Sequence, residues 1–149
     1  MILEFESQVP NIPDYNDLIA LCVDIFSQNI DRKFQDTTVS VAIVSESTIQ
    51  SLNFQYRNKD TVTDVLAFNL MENQPVLEPT LGEIIICYNK ALLQAQELGH
   101  SVDYEIATLS IHGLCHLIGY DHQTDVDYQE MQIKEKDILS IVKEHYLFS

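Results

Sequence analysis

Eleven consecutive residues near the C-terminal end, His112-Gly113-Leu114-Cys115-His116-Leu117-Ile118-Gly119-Tyr120-Asp121-His122, hold three of the five histidines, spaced H-x3-H-x5-H. This stretch constrains the chain most. Residues four apart on a helix project from one face, one turn apart, so His112 and His116 share a face. Gly119 follows three residues later, and glycine adopts the left-handed angles that close a helix. A turn at Gly119 brings His122 back towards the first two. Three such nitrogens can hold one Zn2+ and leave a fourth position open, the arrangement of a catalytic rather than a structural metal.

The rest of the sequence must build a frame for that stretch. Its 149 residues, 46% hydrophobic and 21% charged, suit one folded domain spanning 1–149. No apolar run approaches the ~18 residues of a membrane span. The N-terminal Met1-Ile2-Leu3-Glu4-Phe5-Glu6 lacks the basic and then apolar pattern of a signal peptide. Cys22, Cys87 and Cys115 are well separated and odd in number, as in a reducing compartment. The expectation is a cytoplasmic protein with no membrane partner. A net charge of −15 repels polyanions at long range, although screening permits a local positive cleft.

Periodicity predicts a strand at Ile2 to Phe5 and a helix from Asp14 to Asn29. That helix should bury Leu18, Leu21, Cys22, Ile25 and Phe26. Arg32 and Lys33 sit in a connector. Thr38 to Val44 alternates and is rich in β-branched residues, so it reads as a strand. Ser45 or Ser47 can cap a helix running to about Tyr56, with Ile49, Leu52 and Tyr56 inward. Arg57 to Asp60 reads as a polar turn, Val65 to Leu70 as a strand, and Met71 to Thr80 as a surface loop. Gly82 to Cys87 reads as a strand buried on both faces and paired antiparallel with Val65 to Leu70. Asn89 can cap a helix that Gly99 stops. Ser101 opens the histidine helix, with Ala107, Ile111, Leu114 and Ile118 inward. Thr124 begins a capping box, and a last helix runs to about His145. The expected fold is a single α/β (α+β) domain with about four strands in a mixed sheet and about five helices. Its metal site lies on the central helix and the following turn.

The histidine spacing is that of the metzincin proteases, H-E-x-x-H-x-x-G-x-x-H, and Gly119 also matches. The glutamate that serves those enzymes as general base is missing, because Gly113 takes its place. Peptide hydrolysis by that route is thereby disfavoured. Cys115 is turned about 100° from His116 on a helix, so it reads first as a small buried hydrophobe. Asp121 is either a turn-former or an acceptor for the N–H of a ligating ring. His100 and His145 lie outside the cluster and read as surface residues.

Upstream, Leu52-Asn53-x-x-Tyr56-Arg57-x-Lys59-Asp60-x-x-Thr63-Asp64-Val65-Leu66-x-Phe68 forms a second motif. Leu81-Gly82-Glu83-Ile84-Ile85-Ile86-Cys87 forms a third. Together with the histidine stretch, and with Met131 and Glu135 in the last helix, these resemble the YbeY family of metal-dependent endoribonucleases. The resemblance implies Zn2+ held by His112, His116 and His122, and a single-strand-specific endoribonuclease of late small-subunit maturation. Its expected substrate includes the 3′ end of 16S rRNA, and its role extends to ribosome quality control. The implied partners are single-stranded RNA and rRNA, the small ribosomal subunit, and assembly factors such as an Era-type GTPase.

The resemblance also brings Arg57 to the cleft. A guanidinium fork suits the charge that develops on phosphate oxygens during cleavage. Without the resemblance, an ion pair with Asp64 is an equal reading. Asp121, Asp64 and Glu83 are the candidates for supporting a ligand or moving a proton, and Lys59 is a candidate RNA contact together with Lys90. Cys115, Val62, Ala67 and Asn69 depart from the family's usual leucine, proline, serine and proline. These departures bear on the loop and strand before the cleft and on the sensitivity of Cys115 to oxidation. Two other functions fit the residues: a zinc hydrolase of another phosphoester or peptide, and a ribosome-assembly binding factor with a structural metal.

Overall fold

In the computed structural model, which describes residues 1–71, 79–120 and 123–148, the chain forms four strands and five helices. They are β1 (Ile2–Ser7), α1 (Asn16–Gln28), a 3-10 turn (Arg32–Phe34), β2 (Thr38–Val44), α2 (Glu46–Arg57), β3 (Val65–Asn69), β4 (Thr80–Cys87), α3 (Tyr88–Leu98), α4 (Val102–Leu117) and α5 (Asp125–His145). The sheet runs β1-β2-β4-β3. β1, β2 and β4 are parallel, and β3 is antiparallel to β4, with Val65 opposite Ile86 and Asn69 opposite Gly82. The expected mixed sheet, the five helices and the antiparallel pair are all present.

Alternation along the strands separates two packed layers. Val39, Val41, Ile43, Ile84 and Ile86 face α1 and α4 in the main core, with Ile19, Phe26, Ile111 and Leu114 fully buried against them. Burying each such side chain contributes about 1.5–3 kcal/mol. Ala42, Val44, Leu66 and Cys87 face the other way and pack under Ile49 of α2 in a smaller cluster. Glu83 belongs to that second face and is exposed, so β4 is not buried on both faces as its apolar run suggests.

Most local signals hold. Ser45, Ser101 and Thr124 each cap a helix by accepting the N–H three residues on. Gly99 closes α3 in the left-handed region. Asn89 does not cap. α3 begins directly after β4, with Cys87 at the cap position and no side-chain hydrogen bond. Tyr56 is 63% exposed rather than inward, because α2 covers only part of its sheet face. Residues 72–78 of the expected surface loop lie outside the described residues, as do Asp121 and His122.

Candidate active site

α4 crosses the sheet close to β4, and two glycines set that distance. A Cβ on Gly82 would stand 2.3 Å from the Phe68 carbonyl oxygen and 2.6 Å from Leu117 Cδ2. A Cβ on Gly113 would stand 2.8 Å from Ile84 Cγ2. The position where a metzincin carries its glutamate is thus pressed against a core isoleucine. Its side chain has been given up to packing, which explains the missing protease base in physical terms.

The last turns of α4 form one wall of a cleft of about 580 Å³, whose other sides include Arg57, Asp64, Ala67 and Asn69. His112 and His116 both line it, half-buried. Their Nε2 atoms are 3.2 Å apart, with the rings nearly perpendicular at 80°. Glu135 of α5 accepts from His112 Nδ1 at 2.6 Å. A proton held on Nδ1 leaves the Nε2 lone pair for the cleft. Glu135 was noticed in the sequence only as part of a pattern. Its place beside His112 depends on the packing of α5 against α4, which no local signal carries.

These nitrogens fit a metal. Two ligands at Zn–N distances of about 2.0–2.1 Å in a tetrahedral site lie roughly 3.3 Å apart. His112 and His116 already have that separation and a carboxylate that orients one ring. Among the described residues no third His, Cys, Asp or Glu completes a metal-holding group. The third expected ligand, His122, and the neighbouring Asp121 fall outside those residues. Cys115 is no ligand candidate here. It is fully buried on the core side of α4, and burial pushes its thiol up to about 12. That also argues against easy oxidation, since the thiolate is the reactive form.

Arg57 is the last residue of α2, not part of the following turn. Asn58 then turns left-handed at φ 57° and its N–H caps Asn53 and Phe54 carbonyls, which fixes where α2 stops. Arg57 Nη2 donates to the Ala67 carbonyl at 3.0 Å, and the guanidinium lies 5.6 Å from the Phe68 ring centroid. No carboxylate pairs with it among the described residues. The Asp64 pairing is therefore not made. Asp64 instead accepts from Val65 N, Thr63 Oγ1 and Gln94 Nε2 while still lining the cleft. An arginine steered by a carbonyl and a ring keeps its full charge for an incoming anion.

The two unusual residues of β3 prove compatible with this arrangement. Arg57 uses the backbone oxygen of Ala67, a contact that does not depend on the side chain there. Asn69 Nδ2 donates to the Leu117 carbonyl at 2.7 Å and satisfies an otherwise orphaned group at the end of α4. Other expectations do not hold. Glu83 faces the opposite side of the sheet and is not in the cleft, and neither Lys59 nor Lys90 lines it. Arg57 is the one cationic side chain on the cleft wall among the described residues. His100 is not a free surface group: its Nε2 pairs with buried Glu105 at 2.5 Å.

The fold and site define an α/β enzyme with a paired-histidine centre and an arginine facing it across an open cleft. The family model described as endoribonuclease YbeY matches residues 3–143. An endoribonuclease YbeY from Macrococcus caseolyticus is 43% identical over 121 residues, covering 78% of this chain and 79% of that one. Another from Carboxydothermus hydrogenoformans is 37% identical over 138 residues, covering 90% and 95%. A Thermotoga maritima protein with a known solution structure superposes with a TM-score of 0.66 at 30% identity, covering 97% of this chain and 91% of that one. The chain belongs to the YbeY endoribonuclease family, a family of RNA-cleaving hydrolases. None of its described helices is long and apolar enough to cross a membrane.

Proposed function

We propose that this chain is a Zn2+-dependent, single-strand-specific endoribonuclease that acts in the cytoplasm on small-subunit rRNA. Its place is late maturation at the 16S 3′ end and ribosome quality control, with the small subunit and an Era-type GTPase as partners. The observation that carries the metal-dependent reading is the convergence of two imidazole Nε2 atoms at 3.2 Å, with Arg57 lining the same cleft. His112, His116 and His122 would hold the ion. When bound, Zn2+ supplies Lewis acidity at the scissile phosphodiester.

The remaining work falls to the protein. Arg57 binds the nonbridging phosphate oxygens through its fork and stabilises the charge that grows there. Glu135 holds the His112 ring in one tautomer and one orientation. Among the described residues Asp64 is the carboxylate that lines the cleft, and three hydrogen bonds hold it there as the candidate proton acceptor. An acidic chain with one cleft cation binds RNA weakly by itself, which supports a requirement for a ribosomal partner. The open cleft and a core complete without the histidines favour a catalytic over a structural metal.

The test is metal analysis coupled to a nuclease assay on single-stranded RNA, with Arg57→Ala beside the parent. Arg57→Ala should keep its zinc and lose activity by on the order of 10²–10³. Full activity in that protein would remove Arg57 from the mechanism. End groups of the products identify the nucleophile: a 2′,3′-cyclic phosphate means attack by the ribose hydroxyl, and a 5′-phosphate with a 3′-hydroxyl means attack by water.

A further inference from the structure

A second cavity, of about 470 Å³, adjoins the histidine cleft, and Gly119 and Tyr120 line both. Gly119 has φ 105°, and among the described residues nothing lies within 4 Å of where its Cβ would stand. The second cavity is formed by the end of α1, the 3-10 turn, the turn after α4 and the first turns of α5. Phe34, Ile118 and Tyr120 give it an apolar and aromatic lining that continues into the main core. Asp127 and Glu130 stand on its α5 side, and neither carboxylate has an ion pair among the described residues. Among the described residues Lys134 is its single cation, and it donates to the Asn29 carbonyl.

This lining narrows the occupant. A phosphate would meet more negative than positive charge. A metal ion is not served either, since among the described residues no three acidic, histidine or cysteine side chains converge to hold one. Aromatic walls with acceptor-only carboxylates suit a flat ring that carries N–H donors. Single-stranded RNA offers such rings as unstacked bases. Among the four, guanine presents adjacent N1–H and N2–H donors that a carboxylate can accept together, and its O6 can accept from Lys134. Uracil flanks its one N–H with two carbonyls, and cytosine and adenine set an acceptor beside their amino group. The volume lies within the ~300–1,000 Å³ usual for a small-molecule pocket.

We infer that this cavity is a base-recognition subsite that seats a guanine flanking the scissile phosphodiester, with Asp127 and Glu130 as the specificity-determining acceptors. The inference rests on the RNA-cleavage reading, and it gives the enzyme a sequence preference at a fixed offset from the cut. The strand passes over Gly119, with its phosphate at Arg57 and the histidines and its neighbouring base against Tyr120.

Two measurements on the full chain test it separately. In the first, guanosine, adenosine, cytidine and uridine are titrated into isotopically labelled protein. Guanosine should shift the signals of Phe34, Tyr120 and Glu130 most, and Glu130→Gln with Asp127→Asn should abolish those shifts. In the second, a single-stranded RNA with one guanine is compared with a guanine-free strand. The parent should cut the first faster by on the order of tenfold, and that ratio should fall to about one in the double variant. Equal shifts with all four nucleosides, or a ratio unchanged in the double variant, would overturn the subsite. Guanosine shifts at these residues without any RNA cleavage would refute the ribonuclease reading and reduce the subsite to a guanine-binding cavity with no cut beside it. Cleavage without guanosine shifts would do the reverse.

Discussion

Two histidine–carboxylate pairs flank α4, almost equal in length and opposite in use. At the start of the helix, His100 Nε2 meets Glu105 at 2.5 Å; near its end, His112 Nδ1 meets Glu135 at 2.6 Å. The first pair is structural. Glu105 is buried, and the His100 ring packs 4.6 Å from Tyr104, which in turn contacts Phe148 of the C-terminal segment. The second pair lies at the cleft, and the carboxylate engages the ring nitrogen that faces away from it. Which nitrogen the carboxylate takes therefore separates a packing contact from a ring oriented towards the cleft. Distance alone does not.

Breaking the second pair should affect chemistry, and breaking the first should affect folding. The largest effect is expected from His112→Ala. It removes a proposed ligand, so bound zinc and RNA cleavage should both fall, the latter on the order of a thousandfold, as read by metal analysis and single-turnover assay. Zinc retained at parental stoichiometry would disprove the assignment of His112. Glu135→Gln leaves the ligands in place but loses the carboxylate's hold on Nδ1, and zinc affinity should weaken about 10- to 100-fold in a chelator competition. Its melting temperature should scarcely change.

Glu105→Ala should invert that pattern. The stability loss is expected at about 1–3 kcal/mol in urea unfolding, with zinc affinity as in the parent. If Glu105→Ala weakened zinc as much as Glu135→Gln, the division between the two pairs would collapse. Gly113→Ala sharpens the same comparison, because it perturbs the packing beneath His112 without touching a ligand. Ile84 must yield to the new methyl group, at a cost of about 1–3 kcal/mol.

The smallest effect concerns pH. Burial, outweighing a backbone hydrogen bond that lowers it, raises the Cys22 thiol from its ordinary 9.0 to about 12. A folded-state value above the unfolded one contributes stability that is complete below the unfolded value and is lost as pH rises towards the folded one. Thermal stability should therefore decline above about pH 9, and Cys22→Ala should flatten that decline. An identical alkaline slope in Cys22→Ala would assign it to other groups.

Much of the site was legible in the order of residues. The i, i+4 spacing of His112 and His116 needs only a helix to put both on one face, and Ser101 and Gly119 mark where that helix begins and turns. The strand pairing of β3 with β4 followed from the short spacing between two apolar, strand-like runs. Local chemistry also selected three of the helix caps, but it failed at Asn89, where α3 continues straight from β4 and Cys87 takes the cap position.

What tertiary structure decided is where side chains from distant segments meet. Arg57 had two equal partners in the sequence, and the antiparallel register of β3 placed the Ala67 carbonyl, rather than a carboxylate, in its reach. Glu83 looked like a cleft carboxylate until the pleat turned it to the far face, since neighbouring strand residues point opposite ways. Glu135 and the guanine-sized cavity depend on α5 folding back over α4 and α1, contacts between segments more than twenty residues apart. The sequence by itself determined the helical histidine pair and the family. Only the packed structure decided how one histidine is oriented, which carboxylates share its cleft, and why position 113 has no side chain.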